Sequence, residues 1–218
     1  MAHIHLPDGS FPLFWALAWW IGAIILLGAA LGWARRRKSG SREITVAAFV
    51  TAASFAVFQV QVPLFGGVHL NLTPLIGILA GPVLGGLIVF IVNVLSAAIG
   101  HGGWGLIGAN VLVNFSEVLT AWFVYRGLGR VTGSLFARAG IATFGGLFIG
   151  NIAMVAIILI SGIQGVTQTT LQIFTGLSLL VAVNMGAAVV EAFITGFIVE
   201  YISRVKPDLL GGGPRAGA

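Results

Sequence analysis

Long apolar segments separated by short polar ones make up most of this chain. The first apolar segment, residues 11–34, is long enough to cross a bilayer as an α-helix. A run of positive residues, Arg35 to Lys38, follows it directly. Because Lys and Arg collect at the cytoplasmic ends of membrane helices, this helix is predicted to run from the outside inwards.

Further apolar segments predict more membrane spans. Complete spans are predicted at residues 44–62, 106–125, 141–160 and 173–202. Residues 70–100 provide fewer than the about 40 residues that two ordinary crossings need. A single crossing there would nevertheless leave Arg126, Arg130 and Arg138 on the outside, against the charge rule. We therefore predict two crossings within residues 70–100.

The shorter of these crossings is predicted to end near Ala80 and the longer one to begin at Val83, with Gly81-Pro82 and Gly85-Gly86 at the corner between them. A short span interrupted by Gly and Pro near the middle of a bundle often marks a substrate site. The fold class predicted is an all-α, polytopic membrane helix bundle with seven transmembrane helices. Its amino terminus lies outside and its carboxyl terminus inside. Residues 1–210 are expected to form one domain, and the glycine-rich residues 211–218 a disordered tail.

Composition supports a multi-pass protein of the cell membrane. The chain is 58% hydrophobic and 8% charged, whereas soluble domains carry about 25% charged residues. The absence of cysteine excludes disulfides, Fe–S clusters and thiolate zinc sites. The net charge of +5 arises from residues in the predicted cytoplasmic loops, so it reflects topology and not nucleic-acid binding.

All four histidines fall on the predicted outer side, and we interpret them as candidate metal ligands. His3 and His5 lie in residues 1–10, an extracytoplasmic tip beside the terminal amine, and they can meet His69 if the tip folds back into the bundle. His101 is a weaker candidate, either a ligand or an interfacial group. Imidazole and amine nitrogens suit Ni, Cu, Co or Zn, and a square plane of nitrogens favours Ni(II) or Cu(II).

The processing of the amino terminus leaves two ligand sets open. If Met1 is removed, the amine of Ala2 stands beside the amide and imidazole of His3. If Met1 is retained, its amine, two amides and the His3 imidazole can supply four nitrogens. The metal candidates at the tip are therefore Met1, Ala2, His3 and His5.

Polar groups in other places have simpler explanations beside the functional ones. Asp8, within Pro7-Asp8-Gly9, is expected to form a turn or cap a helix rather than bind metal. Glu117 and Glu191 lie in apolar spans, where ionisable residues are costly and either functional or paired. Hydrogen bonding to Asn114 or Asn184 is the structural alternative.

A stripe of small residues, Ala48, Ala52 and Ala56, follows one face of the second span. Small residues let membrane helices approach closely. The stripe serves either a contact within the bundle or a docking surface for another membrane subunit.

Four stretches together resemble one family, the substrate-binding (S) components of energy-coupling-factor nickel/cobalt transporters, NikM/CbiM. These stretches are His5-Leu-Pro-Asp-Gly9, Gly66-Gly-Val-His-Leu70, Gly105-Leu-Ile-Gly-Ala-Asn-Val-Leu-Val-Asn114, and Glu191-Ala-Phe-Ile-Thr-Gly-Phe197 with Arg204-Val-Lys-Pro-Asp-Leu-Leu210. The resemblance implies a seven-helix S component. In it, the terminal amine, the amide and imidazole of a second-place histidine, and a loop histidine hold the metal in a square plane.

The loop histidine of the family corresponds to His69. For the terminal histidine, spacing to Pro-Asp-Gly selects His5, whereas proximity to the amine selects His3. The resemblance further implies capture of a divalent ion, Ni²⁺ favoured and Co²⁺ next, for ATP-driven uptake, with no organic cofactor. The chain itself is expected not to be an enzyme, since it lacks a Walker motif.

The implied partners are a transmembrane coupling (T) subunit, a pair of cytoplasmic ABC-type ATPases and, as a further candidate, a small accessory membrane subunit. Two alternatives use the buried carboxylates instead. One is an intramembrane metalloenzyme with Glu117 or Glu191 as general base, and the other is an ion-coupled secondary metal carrier in which these groups relay protons.

Overall fold

The computed structural model describes residues 4, 6–37, 40–59, 61–62 and 68–210, which form six α-helices and one short hairpin. The helices are α1 (Leu13–Arg37), α2 (Ser41–Phe58), α3 (Thr73–Ala98), α4 (Ile107–Leu128), α5 (Leu135–Ser161) and α6 (Thr170–Val205). The two-residue strands β1 (Gln61–Val62) and β2 (Val68–His69) pair antiparallel, with Gln61 opposite His69.

The described residues form the predicted all-α membrane bundle. Five of their helices, α1, α3, α4, α5 and α6, are long and apolar enough to cross a bilayer, and α2 is shorter. Large apolar side chains such as Leu13, Ile25 and Phe197 are exposed on the outside of the bundle. Such an outside suits lipid and not water.

Two predicted boundaries were wrong. The second span was predicted to reach residue 62, but α2 ends at Phe58 and Gln61 already belongs to β1. The next span was predicted from Leu70, but α3 begins at Thr73. Both errors have one cause: residues that alternate between polar and apolar, Gln59-Val60-Gln61-Val62 and Leu70-Asn71-Leu72, were counted with the apolar helices beside them.

Helix α3 is broken at Gly81, which has φ 70° and ψ 179° and is followed by Pro82. A Cβ placed on either Gly77 or Gly85 would collide with Val118 of α4. These two glycines would lie about 12 Å apart along a straight helix. Because both reach one residue, the chain reverses at Gly81 and two helical arms pack side by side on α4. The predicted corner at Gly81-Pro82 is therefore present, whereas Gly85-Gly86, predicted at the same corner, lies within the second arm and packs on α4.

The first arm of α3 is short and begins inside the bundle. It runs from Thr73 to Ala80, about 12 Å, whereas the hydrocarbon layer is about 30 Å thick. Gly77 lies beside Val118, and a Cβ at Gly81 would lie 3.6 Å from the Trp122 indole nitrogen. The arm therefore follows α4 toward its carboxyl end. The chain before Thr73 has to enter the bundle to reach this starting point.

The two ends of the bundle differ in character. We call one the tip end: it holds residues 6–11 and the α5–α6 connection, where the Gln164 amide donates to the Ser10 carbonyl at 2.8 Å. The other, the arginine end, holds Arg126 in the last turn of α4 and Arg204 in the last turn of α6. There the Arg138 guanidinium donates to the Tyr125 carbonyl at 3.1 Å.

Helix α1 closes one side of the tip end by direct backbone contact with α4. A Cβ on Gly108 would lie 2.7 Å from the Trp19 carbonyl oxygen. The two indoles at this crossing are also hydrogen bonded: Trp19 donates to the Ser161 hydroxyl at 2.8 Å and Trp20 to the Trp104 carbonyl at 3.1 Å.

Replacing Gly108 by Ala is expected to separate α1 from α4, because backbone atoms cannot move aside as a flexible side chain can. We expect a loss of about 1–3 kcal/mol, the usual range for overpacking, seen as a lower midpoint of thermal unfolding in detergent. Gly28→Ala in α1 is the matched control, since a Cβ there has nothing within 4 Å. An equal midpoint for both variants would contradict this packing.

Candidate metal-binding site

At Ile4, the amino-terminal segment is folded into the bundle. Ile4 is 1% exposed, and its amide donates to the Asn110 side-chain oxygen at 2.8 Å. The Asn110 side-chain nitrogen donates back to the Ile4 carbonyl at 3.3 Å. The Asn110 side chain therefore pairs with the backbone of Ile4 much as a neighbouring strand would. It fixes the residue that stands between His3 and His5 in the sequence.

Asp8 caps a helix, as predicted, although the helix is not its own. Its carboxylate accepts hydrogen bonds from the amides of Trp104 at 3.1 Å and Gly105 at 2.8 Å. These amides start the 3₁₀ turn Trp104–Leu106 that leads into α4. A carboxylate at this position satisfies unpaired amides and faces the positive end of the helix dipole. Asp8 thereby attaches the tip to α4.

The predicted ligands are only partly within the described structure. Met1, Ala2, His3 and His5 lie outside the described residues, and so does the side chain of His69, whose backbone pairs with Gln61. Among residues that are described, no group of three or more His, Asp or Glu side chains could hold a metal. The assignment of Met1, Ala2, His3, His5 and His69 as ligands stays a prediction.

His101 lies on the turn between α3 and α4. Its amide donates to the Ser96 carbonyl at 2.8 Å, and its ring packs edge-on against Phe58 at 5.2 Å between centroids. Burial lowers the pKa of this imidazole, because desolvation disfavours the charged form. The neutral ring is the form that binds metals, and a role for His101 as a ligand stays a prediction.

Glu191 holds the segment that leads into α3. Its carboxylate accepts from the amide of Asn71 at 3.3 Å and from that of Leu72 at 2.9 Å. The side chain is 0% exposed. Leu72 has φ 47°, and it is the one non-glycine residue with positive φ in the described part of the chain. The helix begins inside the bundle, where no water can bind the amides of its first residues. The Glu191 carboxylate therefore accepts their hydrogen bonds instead.

Asn71 joins the second buried carboxylate to the same segment. Its side-chain nitrogen donates to Glu117 at 3.3 Å. Its side-chain oxygen accepts from the Thr73 amide at 2.7 Å and from the Thr73 hydroxyl. One asparagine thus connects α4, through Glu117, to the first turn of α3.

The sequence predicted correctly that the two glutamates could be hydrogen-bonded structural groups, but the predicted partners were wrong. The bonds run to Asn71 and Leu72, while Asn184 donates to Asn151 at 2.9 Å. Asn71 was not identified from the sequence, because this residue lies within the apolar span predicted to end near Ala80. A signal was available, since Asn-Leu-Thr-Pro at residues 71–74 is a helix start with Pro in its first turn.

The small-residue stripe of α2 faces outwards. Ala48, Ala52 and Ala56 are all exposed, while Val50 and Ser54 on the same helix are buried. The stripe is therefore not a contact within the bundle, which leaves the docking surface as its predicted role.

The whole chain has relatives among metal transport proteins. The "Cobalt transport protein CbiM" of Geobacter sulfurreducens is 28% identical over 98% of this chain, which spans 65% of that protein's length. A protein of Archaeoglobus fulgidus assigned as a fused nickel transport protein, NikMN, is 31% identical over 95% of this chain and 68% of its own. The CbiM of Sorangium cellulosum is 27% identical over 95% of this chain and 94% of its own.

The fold is also known from a solved structure. A crystal structure described as a transition metal transporter superposes with a TM-score of 0.78 at 20% identity, covering 98% of this chain and 100% of the other. The model of the family described as "CbiM: Cobalt uptake substrate-specific transmembrane region" matches residues 5–209. The protein is therefore a multi-pass membrane protein of the CbiM family of cobalt and nickel transport components.

Proposed function

We propose that this chain is the S component of an energy-coupling-factor transporter, which captures Ni²⁺, with Co²⁺ as second choice, on the outer face for ATP-driven uptake. The observation that carries the proposal is the insertion of the tip. Ile4 is buried and bonded to Asn110 through both its amide and its carbonyl. In the sequence this residue stands between His3 and His5, which we propose as the metal ligands of the tip.

The second half of the site comes from the loop. His69 stands two residues before Asn71, which is tied to both buried glutamates. Nitrogen donors from the tip and from His69 suit a square plane, which favours Ni²⁺ over Co²⁺. Because the ligands bind in their deprotonated forms, metal affinity is expected to fall at acid pH.

The arrangement of helices supports the seven crossings proposed, with the short first arm of α3 forming one crossing together with residues 68–72, which lead into it. The two arms of α3, separated at Gly81, bring the number of helical segments in the described residues to seven. Arginines at one end and the tip at the other support an amino terminus outside and a carboxyl terminus inside.

The proposed partners are a T subunit, a pair of cytoplasmic ABC-type ATPases and a small accessory membrane subunit. Ala48, Ala52 and Ala56 form an exposed strip on α2 where another membrane helix could approach closely, and we propose this strip as the coupling contact. The ATPases would supply the energy, with this chain as the binding subunit.

Substituting each candidate histidine should show how much the tip and the loop each contribute to metal affinity. In calorimetric titrations with Ni(II) and Co(II), His69→Ala is expected to weaken binding by more than about 100-fold, more than the loss of an outer-shell partner costs. Comparing His3→Ala with His5→Ala identifies the terminal ligand, and intact-mass measurement shows whether Met1 is present. Full affinity in His69→Ala would remove the loop from the site.

Cysteine labelling can test the orientation, since the natural chain has no cysteine. Val166 lies in the α5–α6 connection and Val131 in the α4–α5 connection, 37% and 78% exposed. An impermeant maleimide added to whole cells is expected to label Val166→Cys, and to label Val131→Cys only after permeabilisation. The reverse pattern would exclude capture from the outside by this tip.

Asn110→Ala should release the tip, because the Ile4 amide and carbonyl lose their partner. Hydrogen–deuterium exchange of the amino-terminal peptide is expected to speed up about 5- to 30-fold, the change that follows from losing one or two net hydrogen bonds of about 1 kcal/mol each. Asn93→Ala is the control, since the buried Asn93 donates within α3 to the Val89 carbonyl. Similar exchange in both variants would show that Asn110 does not hold the tip.

A further inference from the structure

We propose that Glu191, assisted by Asn71 and Glu117, is a positioning residue that sets how fast captured metal leaves, by fixing the loop that carries His69. The inference rests on the proposed function above. Glu191 and Glu117 are not proposed as metal ligands. The inference gives these two buried carboxylates a role in metal release.

The first step is the unusual position of the bonds. The amides of Asn71 and Leu72 precede the first turn of α3, and that turn lies inside the bundle. Amides in an apolar bundle have no water to replace a lost partner. Both side-chain oxygens of Glu191 accept from these amides, and they do so at the positive dipole end of the short arm.

The second step is the length of chain between Glu191's bonds and the metal ligand. One extended residue spans at most about 3.6 Å, so the His69 Cα lies within about 7 Å of the Asn71 Cα. On its other side, His69 pairs through its backbone with Gln61. The backbone of His69 is therefore held from two directions, by β1 and by the segment that Glu191 binds.

The third step is the difference between the two glutamates. Glu191 accepts from two backbone amides, whereas Glu117 accepts from the Asn71 side chain. Loss of Glu191 frees the backbone itself, and loss of Glu117 frees only a side chain that still bonds to Thr73. The effect on metal release should therefore be larger for Glu191 than for Glu117.

The test uses the full chain in detergent, loaded with Ni(II) alone, and measures dissociation into excess chelator by stopped flow. Glu191→Gln keeps the size of the side chain but turns an NH₂ group toward the amides. It is expected to speed release about 10- to 100-fold, the range found when partners behind metal ligands are lost. Glu117→Gln is expected to speed release less.

Thr195→Val is the matched control. Thr195 lies one turn after Glu191 on α6, is 0% exposed, and has no hydrogen-bond partner for its hydroxyl within the described structure. It tests whether any change to a buried polar group of this helix alters release. Equal acceleration in Thr195→Val and Glu191→Gln would overturn the positioning role.

A spectroscopic readout separates positioning from ligation. Cu(II) favours the same nitrogen donors, and the g values and copper hyperfine constant of its electron paramagnetic resonance spectrum distinguish nitrogen from oxygen ligands. Both are expected to be the same in Glu191→Gln as in the natural chain. A change in them that corresponds to the loss of an oxygen ligand would make Glu191 a ligand and overturn the proposal.

The outcomes distinguish this inference from the proposed function. No Ni(II) or Co(II) binding by the natural chain refutes the function itself. Binding that needs His69, with unchanged release in Glu191→Gln, refutes only the positioning role. Should Glu191→Gln fail to fold, Glu191→Asp keeps the carboxylate but shortens its reach to the amides of Asn71 and Leu72, and faster release supports the proposal while unchanged release overturns it.

Discussion

The architecture depends on a carboxylate that meets the unpaired amides of a helix beginning halfway into the bundle. Without Glu191, the amides of Asn71 and Leu72 would face apolar surroundings, and an unsatisfied polar group in hydrocarbon costs several kcal/mol. With it, the chain can leave the membrane surface, descend between helices and start α3 at depth. Short, interrupted helices in membrane bundles rely on such compensation.

The same constraint explains why glycine concentrates where α3 meets α4. Two arms in place of one require two close contacts on α4, and Gly77 and Gly85 provide them on the two sides of Val118. A larger side chain at Gly77 would meet the Val118 backbone, which has no freedom to move. The two arms of α3, the segment that leads into them and the buried glutamates thus solve a single packing problem together.

The sequence allowed prediction of features that depend on local chemistry. Four basic residues marked the end of α1, Gly81-Pro82 marked the reversal of α3, and Asp8 in its Pro-Asp-Gly context was expected to cap a helix. The hydrogen-bond partners of the buried glutamates were not predictable in this way. Asn71 stands 46 residues before Glu117 and 120 before Glu191, and only the folded bundle brings these three together.

The end of α2 illustrates a second limit. Past Phe58, residues 59–62 alternate between Gln and Val, which is the period of a strand, but four residues are too few to show where the helix ends. The exposed face of α2 also escaped prediction, since an alanine stripe reads the same whether it packs inside the bundle or faces lipid. Burial alone decided between them.

The length of α6 has a mechanical consequence. Its 36 residues extend over about 54 Å, well beyond the about 30 Å of hydrocarbon. None of its residues 170–183 is buried, whereas Ala188, Glu191 and Thr195 are enclosed. Mismatch with a thinner or thicker bilayer is therefore expected to be absorbed by tilting or bending of these first turns, where Ile173, Leu177 and Val181 are only partly covered. The hydrogen bonds from Asn71 and Leu72 to Glu191 lie in the enclosed part of α6, away from the lipid.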